Sequence, residues 1–420
     1  MDRRSFTRFV AAGAGTALAG GAPAVLAGPR PRVVIIGGGF GGATVARYLR
    51  LWDPGIEVVM IERQRHFVSC PMSNLVLSGD RNLEQNIHGY EALSRRGVTL
   101  LRGEVETVDH ARHEVVLAGA QRVFYDRLVL SPGIDFLWDT VAGMNETVAG
   151  SRVPHAWKAG PQTTLLRSQL EAMEDGGTYI LSIPKAPYRC PPGPYERVSL
   201  VASYFKRVKP RSRVLVLDAN PEIVSKKGLF MKAWAELYPG IVDYQANAAV
   251  VEVDAAAGVV RTDFDSHQGQ VLNVIVPHGA GRIAHQAGVV NVDKRWAGID
   301  FRTYESTAVP GIHVIGDATS AAPTPKSAHT ANNQAKICAS ALIAALRGSE
   351  PTEVPVSANT CYSFVSPTEA VHVAAVYRYD PGKRALVTAE GTAGVSAARS
   401  EAEAAYARAW AENIWADALS

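Results

Sequence analysis

The stretch Arg32-Val33-Val34-Ile35-Ile36-Gly37-Gly38-Gly39-Phe40-Gly41-Gly42, followed by Ile56-Glu57-Val58-Val59-Met60-Ile61-Glu62, decides the fold. Val33–Ile36 is an apolar run of buried-strand length, residues 42–51 read as a helix, and Ile56–Ile61 as a second strand. Gly37, Gly39 and Gly42 form the pattern G-x-G-x-x-G between the first strand and the helix. Gly37 permits the tight turn, Gly39 lets the backbone approach a pyrophosphate, and Gly42 lets helix and strand pack closely. The helix N-terminus favours the phosphate charge. Glu62 ends the second strand, 25 residues after Gly37, where a carboxylate accepts ribose hydroxyls. The unit is a βαβ dinucleotide site.

The remaining chain is too long for one core. At 420 residues two or three domains are expected. Hydrophobic residues at 47% and charged residues at 20% are ordinary for a globular protein. Of the net charge of +3, the first 27 residues supply +2 through Arg3, Arg4 and Arg8 against Asp2, so nothing suggests a nucleic-acid partner. Those residues read as a signal peptide: a twin-arginine pattern Arg3-Arg4-Ser5-Phe6, a weakly apolar run Phe9–Gly20, and Val25-Leu26-Ala27 as an A-x-A-like cleavage site. The expectation is periplasmic export of a protein folded around its cofactor. No stretch of the mature chain is apolar enough to span a bilayer. In an oxidising compartment Cys70, Cys190, Cys338 and Cys361 are able to form disulfides, with three full pairings open. None has CxxCH spacing, so any haem belongs to another chain.

Two later segments specify the dinucleotide. Tyr125–Gly133 is a strand entering a Pro-Gly turn, and Val309–Asp317 a strand ending in Gly316-Asp317. In this order they resemble the second and third fingerprints of the glutathione-reductase-like flavoproteins. In that class the Gly-Asp carboxylate holds the ribityl chain of FAD. The helix that follows, expected from Ser327 to Leu346, points its positive end at the flavin.

The middle departs from that class. Gly177–Ile183 starts a second nucleotide-binding unit, continued by a helix over 195–207 and the strand Arg213–Asp218, but its turn reads Pro184-Lys185-Ala186-Pro187-Tyr188-Arg189-Cys190. Without glycines that turn does not close on a pyrophosphate, which implies no NAD(P)H. The expected fold is therefore α/β, with two Rossmann-like domains: an FAD domain over 28–150 and 278–348, and a degenerate NAD(P)-type domain over 151–277. A C-terminal α+β partner-interface domain over 349–420 follows, with antiparallel strands over Thr360–Ala375 and Val376–Tyr379 and an Ala-rich helix from Ser400 to Leu419. Cys338 shares a helical face with Ala341, Leu342 and Ala345, the pattern of core packing.

The blocks SCPMSN (69–74), CPPGPYER (190–197), PHAWKAG (154–160), the GDA…PKS segment (316–327) and NTCYS (359–363) resemble the flavoprotein subunit of flavocytochrome c sulfide dehydrogenases, from about residue 32 to the C-terminus. Pro71-Met72, Cys338 and Ala328-His329-Thr330 depart from the family's pattern. The resemblance implies FAD held covalently through Cys70 and a redox-active disulfide between Cys190 and Cys361, where sulfide is oxidised. It also implies Glu196 as base and Trp410 near the flavin. Lys326 stands at the start of the flavin-facing helix and is a further candidate. The implied partner is a separate c-type cytochrome subunit in a heterodimer. Two competing readings remain: a sulfide:quinone oxidoreductase, which the acidic tail (Glu401, Glu403, Glu412, Asp417) opposes at an anionic membrane surface, and a non-catalytic electron-relay flavoprotein.

Overall fold

The computed structural model describes residues 30–420, so the expected signal peptide over 1–27 lies outside the described residues. Strand Arg32–Ile36, with Val33, Val34 and Ile35 fully buried, is the centre of a five-stranded parallel sheet. Its order is Ile312–Val314, Arg127–Leu130, Arg32–Ile36, Glu57–Glu62, Val98–Arg102. Burial on both faces explains the Val/Ile/Leu-rich runs of the three inner strands, Arg127–Leu130, Arg32–Ile36 and Glu57–Glu62. The chain leaves Arg32–Ile36 to one side and later returns on the other, so a crevice opens at the strand's carboxyl end. Helix Phe40–Trp52 begins there, against helix Ala328–Arg347.

A second parallel sheet repeats the plan with Val242–Ala246, Arg213–Asp218, Thr178–Ile183 and Val271–Val274 in that order. Strand Thr178–Ile183, buried throughout, lies at this sheet's own switch point. Helix Gly193–Val208 follows it. The two parallel-sheet units give the α/β architecture that the sequence predicts.

The C-terminal strands run Val356–Phe364, Ala370–Asp380 and Ala385–Thr388, all antiparallel. The chain reverses earlier than expected. Ser366-Pro367 sits between the first two strands, where proline lacks the N–H that a ladder needs, and Val365 N–H closes the turn on Glu369 O at 2.9 Å. Helix Glu401–Leu419 is capped by Ser400 Oγ, which accepts from Glu403 N–H at 3.2 Å. Its face of Ala404, Ala407, Ala411, Ile414 and Ala418 joins the core of the first sheet. Asp417 fixes that docking, accepting from Tyr48 Oη at 2.6 Å and pairing with Lys336 at 2.7 Å. Among the described residues no helix is long and apolar enough to cross a membrane.

Candidate active site

The first glycine turn has the geometry that its sequence demands. Gly37 sits at φ +99°, and a Cβ on Gly42 would stand 1.7 Å from Gly37 O, so neither position accepts a side chain. At Gly39 a Cβ would meet nothing within 4 Å, which leaves open space above the helix N-terminus. Glu62 steadies the turn: its two oxygens accept from Gly38 N–H at 2.6 Å and Gln64 N–H at 2.7 Å.

Gly316 and Asp317 form a 3₁₀ turn after Ile312–Val314. Gly316 N–H donates to Gln334 Oε1 at 2.6 Å. Asp317 Oδ1 is buried with no hydrogen-bond partner, and burial raises the carboxyl pKa against the pull of Arg189 and Lys326. An orphaned buried acceptor calls for a donor; a ribityl hydroxyl supplies one. Asp317 borders a cleft of ≈ 290 Å³ together with Lys326, Trp296, Tyr188 and Gln334. The open cradle at Gly39 and the unpartnered Asp317 fit FAD. Lys326 is not a free surface lysine. Its Nζ donates to Asp317 O (2.9 Å) and Thr319 O (2.6 Å) and lies 3.5 Å from the Trp296 ring centroid; burial lowers its pKa to about 8.

Three parts of the chain converge beside this cleft. Cys190 ends the loop that replaces the second glycine turn, at φ +56°, with its N–H on Lys326 O at 2.8 Å. Glu196 stands in the first turn of helix Gly193–Val208, yet it is no solvated helix-end acid. Its Oε1 accepts from Phe364 N–H at 2.9 Å and its Oε2 from Asn74 Nδ2 at 2.7 Å. Burial raises its pKa, opposed by those two hydrogen bonds and by Lys226 and Arg197. Cys361 comes from strand Val356–Phe364, with its Sγ 3.3 Å from Asn359 Nδ2. Ser327 donates to Asn359 Oδ1 at 2.6 Å, which ties that strand to the start of helix Ala328–Arg347. The Cys190 thiol pKa is raised first by burial, then by the facing Cys361 and Glu196 charges; burial likewise raises Cys361, while Lys226 opposes it. Cys190, Cys361 and Glu196 therefore share one electrostatic site.

The structure does not show the expected bridge: Cys190 and Cys361 are unbridged in it. The Cys190 N–H is held on Lys326 O at 2.8 Å, and Cys361 Sγ lies 3.3 Å from Asn359 Nδ2. Cys70 lies partly exposed in the loop after Phe67–Val68, where its carbonyl accepts from Ser73 N–H and Oγ. Although burial opposes the Arg189 charge, the facing Cys70, Asp317 and Cys190 push its pKa up, so one guanidinium looks toward all three. Trp410 packs against Tyr362 and His329, each ring at 6.2 Å. It is Trp415, unassigned by the sequence, that reaches the cysteine loop, donating from Nε1 to Ser69 Oγ at 2.8 Å. Cys338 is fully buried in the first core, as its helical spacing predicts.

Several residues escaped the sequence reading. Arg197, fully buried, donates from Nε to Asn74 Oδ1 (3.0 Å), from Nη1 to Asn273 Oδ1 (2.8 Å) and His155 O (2.9 Å), and from Nη2 to Ala156 O (2.6 Å). It thereby turns the Asn74 amide toward Glu196. Both residues stand inside motifs quoted above, so a signal existed. For Lys226 and Arg189 no pattern marks the role.

Residues 163–277 match the family model "Sulfide dehydrogenase [flavocytochrome c] flavoprotein chain, central", residues 353–419 "Flavocytochrome c sulphide dehydrogenase, flavin-binding", and residues 31–159 "Pyridine nucleotide-disulphide oxidoreductase". A sulfide dehydrogenase [flavocytochrome c] flavoprotein chain of Chlorobaculum thiosulfatiphilum is 58% identical over 45 residues, 11% of this chain and 94% of that sequence. A mitochondrial sulfide:quinone oxidoreductase of Dictyostelium discoideum is 22% identical over 327 residues, 74% of this chain and 70% of its own. In fold, the chain resembles the sulfide:quinone oxidoreductase of Aquifex aeolicus, with TM-score 0.76 and 16% identity over 92% of this chain and 91% of that one. The chain thus belongs to the flavoprotein-chain family of flavocytochrome c sulfide dehydrogenase, sulfide-oxidising flavoproteins of the pyridine nucleotide-disulfide oxidoreductase class.

Proposed function

We propose that this chain oxidises sulfide at the Cys190–Cys361 pair, beside FAD held through Cys70, and passes the electrons to a separate c-type cytochrome subunit after export to the periplasm. The observation that carries the reading is a convergence beside the Asp317 cleft: Cys190 is held on Lys326 O, and the half-buried Glu196 carboxylate accepts from Phe364 N–H on the strand that carries Cys361. In the bridged form of the pair, hydrosulfide attacks one cysteine sulfur. A bond forms between the incoming sulfur and that cysteine, the Cys–Cys bond breaks, and its electron pair leaves on the other cysteine as thiolate. Glu196, its proton affinity raised by burial, takes the proton of the new persulfide. When bound, FAD accepts an electron pair and releases electrons singly, which suits a haem acceptor. Arg189 faces Cys70, Asp317 and Cys190, so its guanidinium stands between the flavin-linking cysteine and the cysteine pair. Gly39, Glu62, Gly316 and Asp317 hold the dinucleotide, and the non-glycine turn Pro184–Cys190 supports a protein that does not use NAD(P)H.

The likeness to sulfide:quinone oxidoreductases favours quinone as a second candidate acceptor. Mixing the purified holoprotein with sulfide and either a c-type cytochrome or a soluble quinone separates the two. Fast reduction of the cytochrome is expected; preferential reduction of the quinone rejects the reading. Acid denaturation tests the linkage: flavin should stay on the wild-type polypeptide and leave Cys70→Ser.

A further inference from the structure

Lys226 occupies a position that local rules disfavour three times over. It precedes helix Lys227–Leu237 as the N-cap, where Ser, Thr, Asp or Asn is preferred and where the helix dipole repels a cation. Its backbone is left-handed at φ +57°, which costs a non-glycine residue about 1–2 kcal/mol. Its side chain is buried at 7% exposure, and among the described residues no carboxylate lies within ion-pair distance. A buried ammonium without a counter-ion is expensive. Three unfavourable choices at one residue mark a place where function overrides local preference.

The surroundings say which function. Nζ donates to Cys361 O at 3.0 Å and to Ser363 Oγ at 2.8 Å, on the strand that carries the second thiol. An ammonium has three donors; the third has no acceptor among the described residues. The ionisable groups facing Lys226 are Cys361 on that strand, Glu196 on helix Gly193–Val208, Cys190 on the preceding loop and Glu403 on the C-terminal helix. Arg189 is the other cation facing Cys190. Two of the four acidic neighbours of Lys226 are the thiols themselves.

We propose that Lys226 is the charge partner of the cysteine pair, a positioning residue whose ammonium holds the negative charge that hydrosulfide brings to the site. It rests on the sulfide-oxidising reading of Cys190 and Cys361. When the bridge opens, one negative charge enters with the nucleophile and one leaves on a thiolate. A fixed cation beside Cys361 lowers the cost of that anion and draws hydrosulfide into the site. Burial lowers the Lys226 pKa to about 8 while Cys361, Glu196 and Cys190 pull it back up, so charge on lysine and thiols is mutually dependent.

The test uses the FAD-loaded full chain. Lys226→Gln keeps an N–H donor for Cys361 O and Ser363 Oγ but removes the charge; Lys226→Arg restores it. Iodoacetamide labelling of the reduced protein across pH, with Cys361 read by mass spectrometry, gives the thiol inflection. It should rise by at least about one pH unit in Lys226→Gln and return toward wild type in Lys226→Arg. Sulfide-driven flavin bleaching should slow at least about tenfold in Lys226→Gln. An unmoved inflection overturns the proposal. If Lys226→Gln fails to fold, Lys226→Arg decides alone, and an inflection raised despite retained charge overturns it. Failure of the underlying reading looks different: Cys190→Ser and Cys361→Ser would then still bleach with sulfide.

Discussion

Two turns occupy equivalent places in this molecule, one after strand Arg32–Ile36 and one after Thr178–Ile183, each at the switch point of a parallel sheet. The first meets its left-handed backbone with glycine, at Gly37, and leaves open space at Gly39. The second places Cys190 at φ +56°, where glycine would be free of strain. A side chain kept at such a cost is needed for itself. The same scaffold thus yields a phosphate cradle where the side chains are absent and a sulfur site where one is required. The second turn is completed from outside its own domain, since Cys361, Phe364 and Asn74 come from elsewhere in the chain.

The largest expected effect separates the two turns by function. Cys190→Ser should retain flavin yet lose sulfide-driven bleaching by more than about 10³-fold in stopped-flow mixing. Retained bleaching breaks the assignment. Next, Gly42→Ala drives a Cβ into Gly37 O and should destabilise the protein by about 1–3 kcal/mol in urea unfolding, with FAD content lost. Gly39→Ala sharpens the same contrast: with no protein atom in reach, unfolding of the apoprotein should be unchanged while FAD binding weakens about tenfold, measured by titration.

The smallest effect is a pH slope. Burial raises the Glu196 pKa in the folded chain, so folding holds its proton more tightly than the unfolded state does. The wild type therefore loses stability as pH rises from about 4.3 toward the folded pKa, by at most about 1.4 kcal/mol per pH unit. Glu196→Gln lacks this loss, so its Tm minus that of the wild type should climb across the window and then level. A difference constant from pH 4 to 8 would place Glu196 in water.

The first turn was legible because its physics is local: strand, glycines, helix and acid lie within one short stretch, and each residue type answers to its own backbone. Gly316-Asp317 and the helix after Ser327 were legible for the same reason. Cys190, Cys361 and Glu196 were singled out by resemblance, since spacing alone left three disulfide pairings open. Their common site, the Arg197–Asn74–Glu196 relay and the buried charge of Lys226 became visible only in three dimensions.

By itself, then, the sequence determined two dinucleotide-type units and the loss of glycines from one of them, because backbone conformation and strand burial depend on neighbouring residues. Tertiary structure alone decided which charges face the sulfurs. Burial and Coulomb interaction depend on distance in space, and Lys226 and Cys361 are 135 residues apart along the chain.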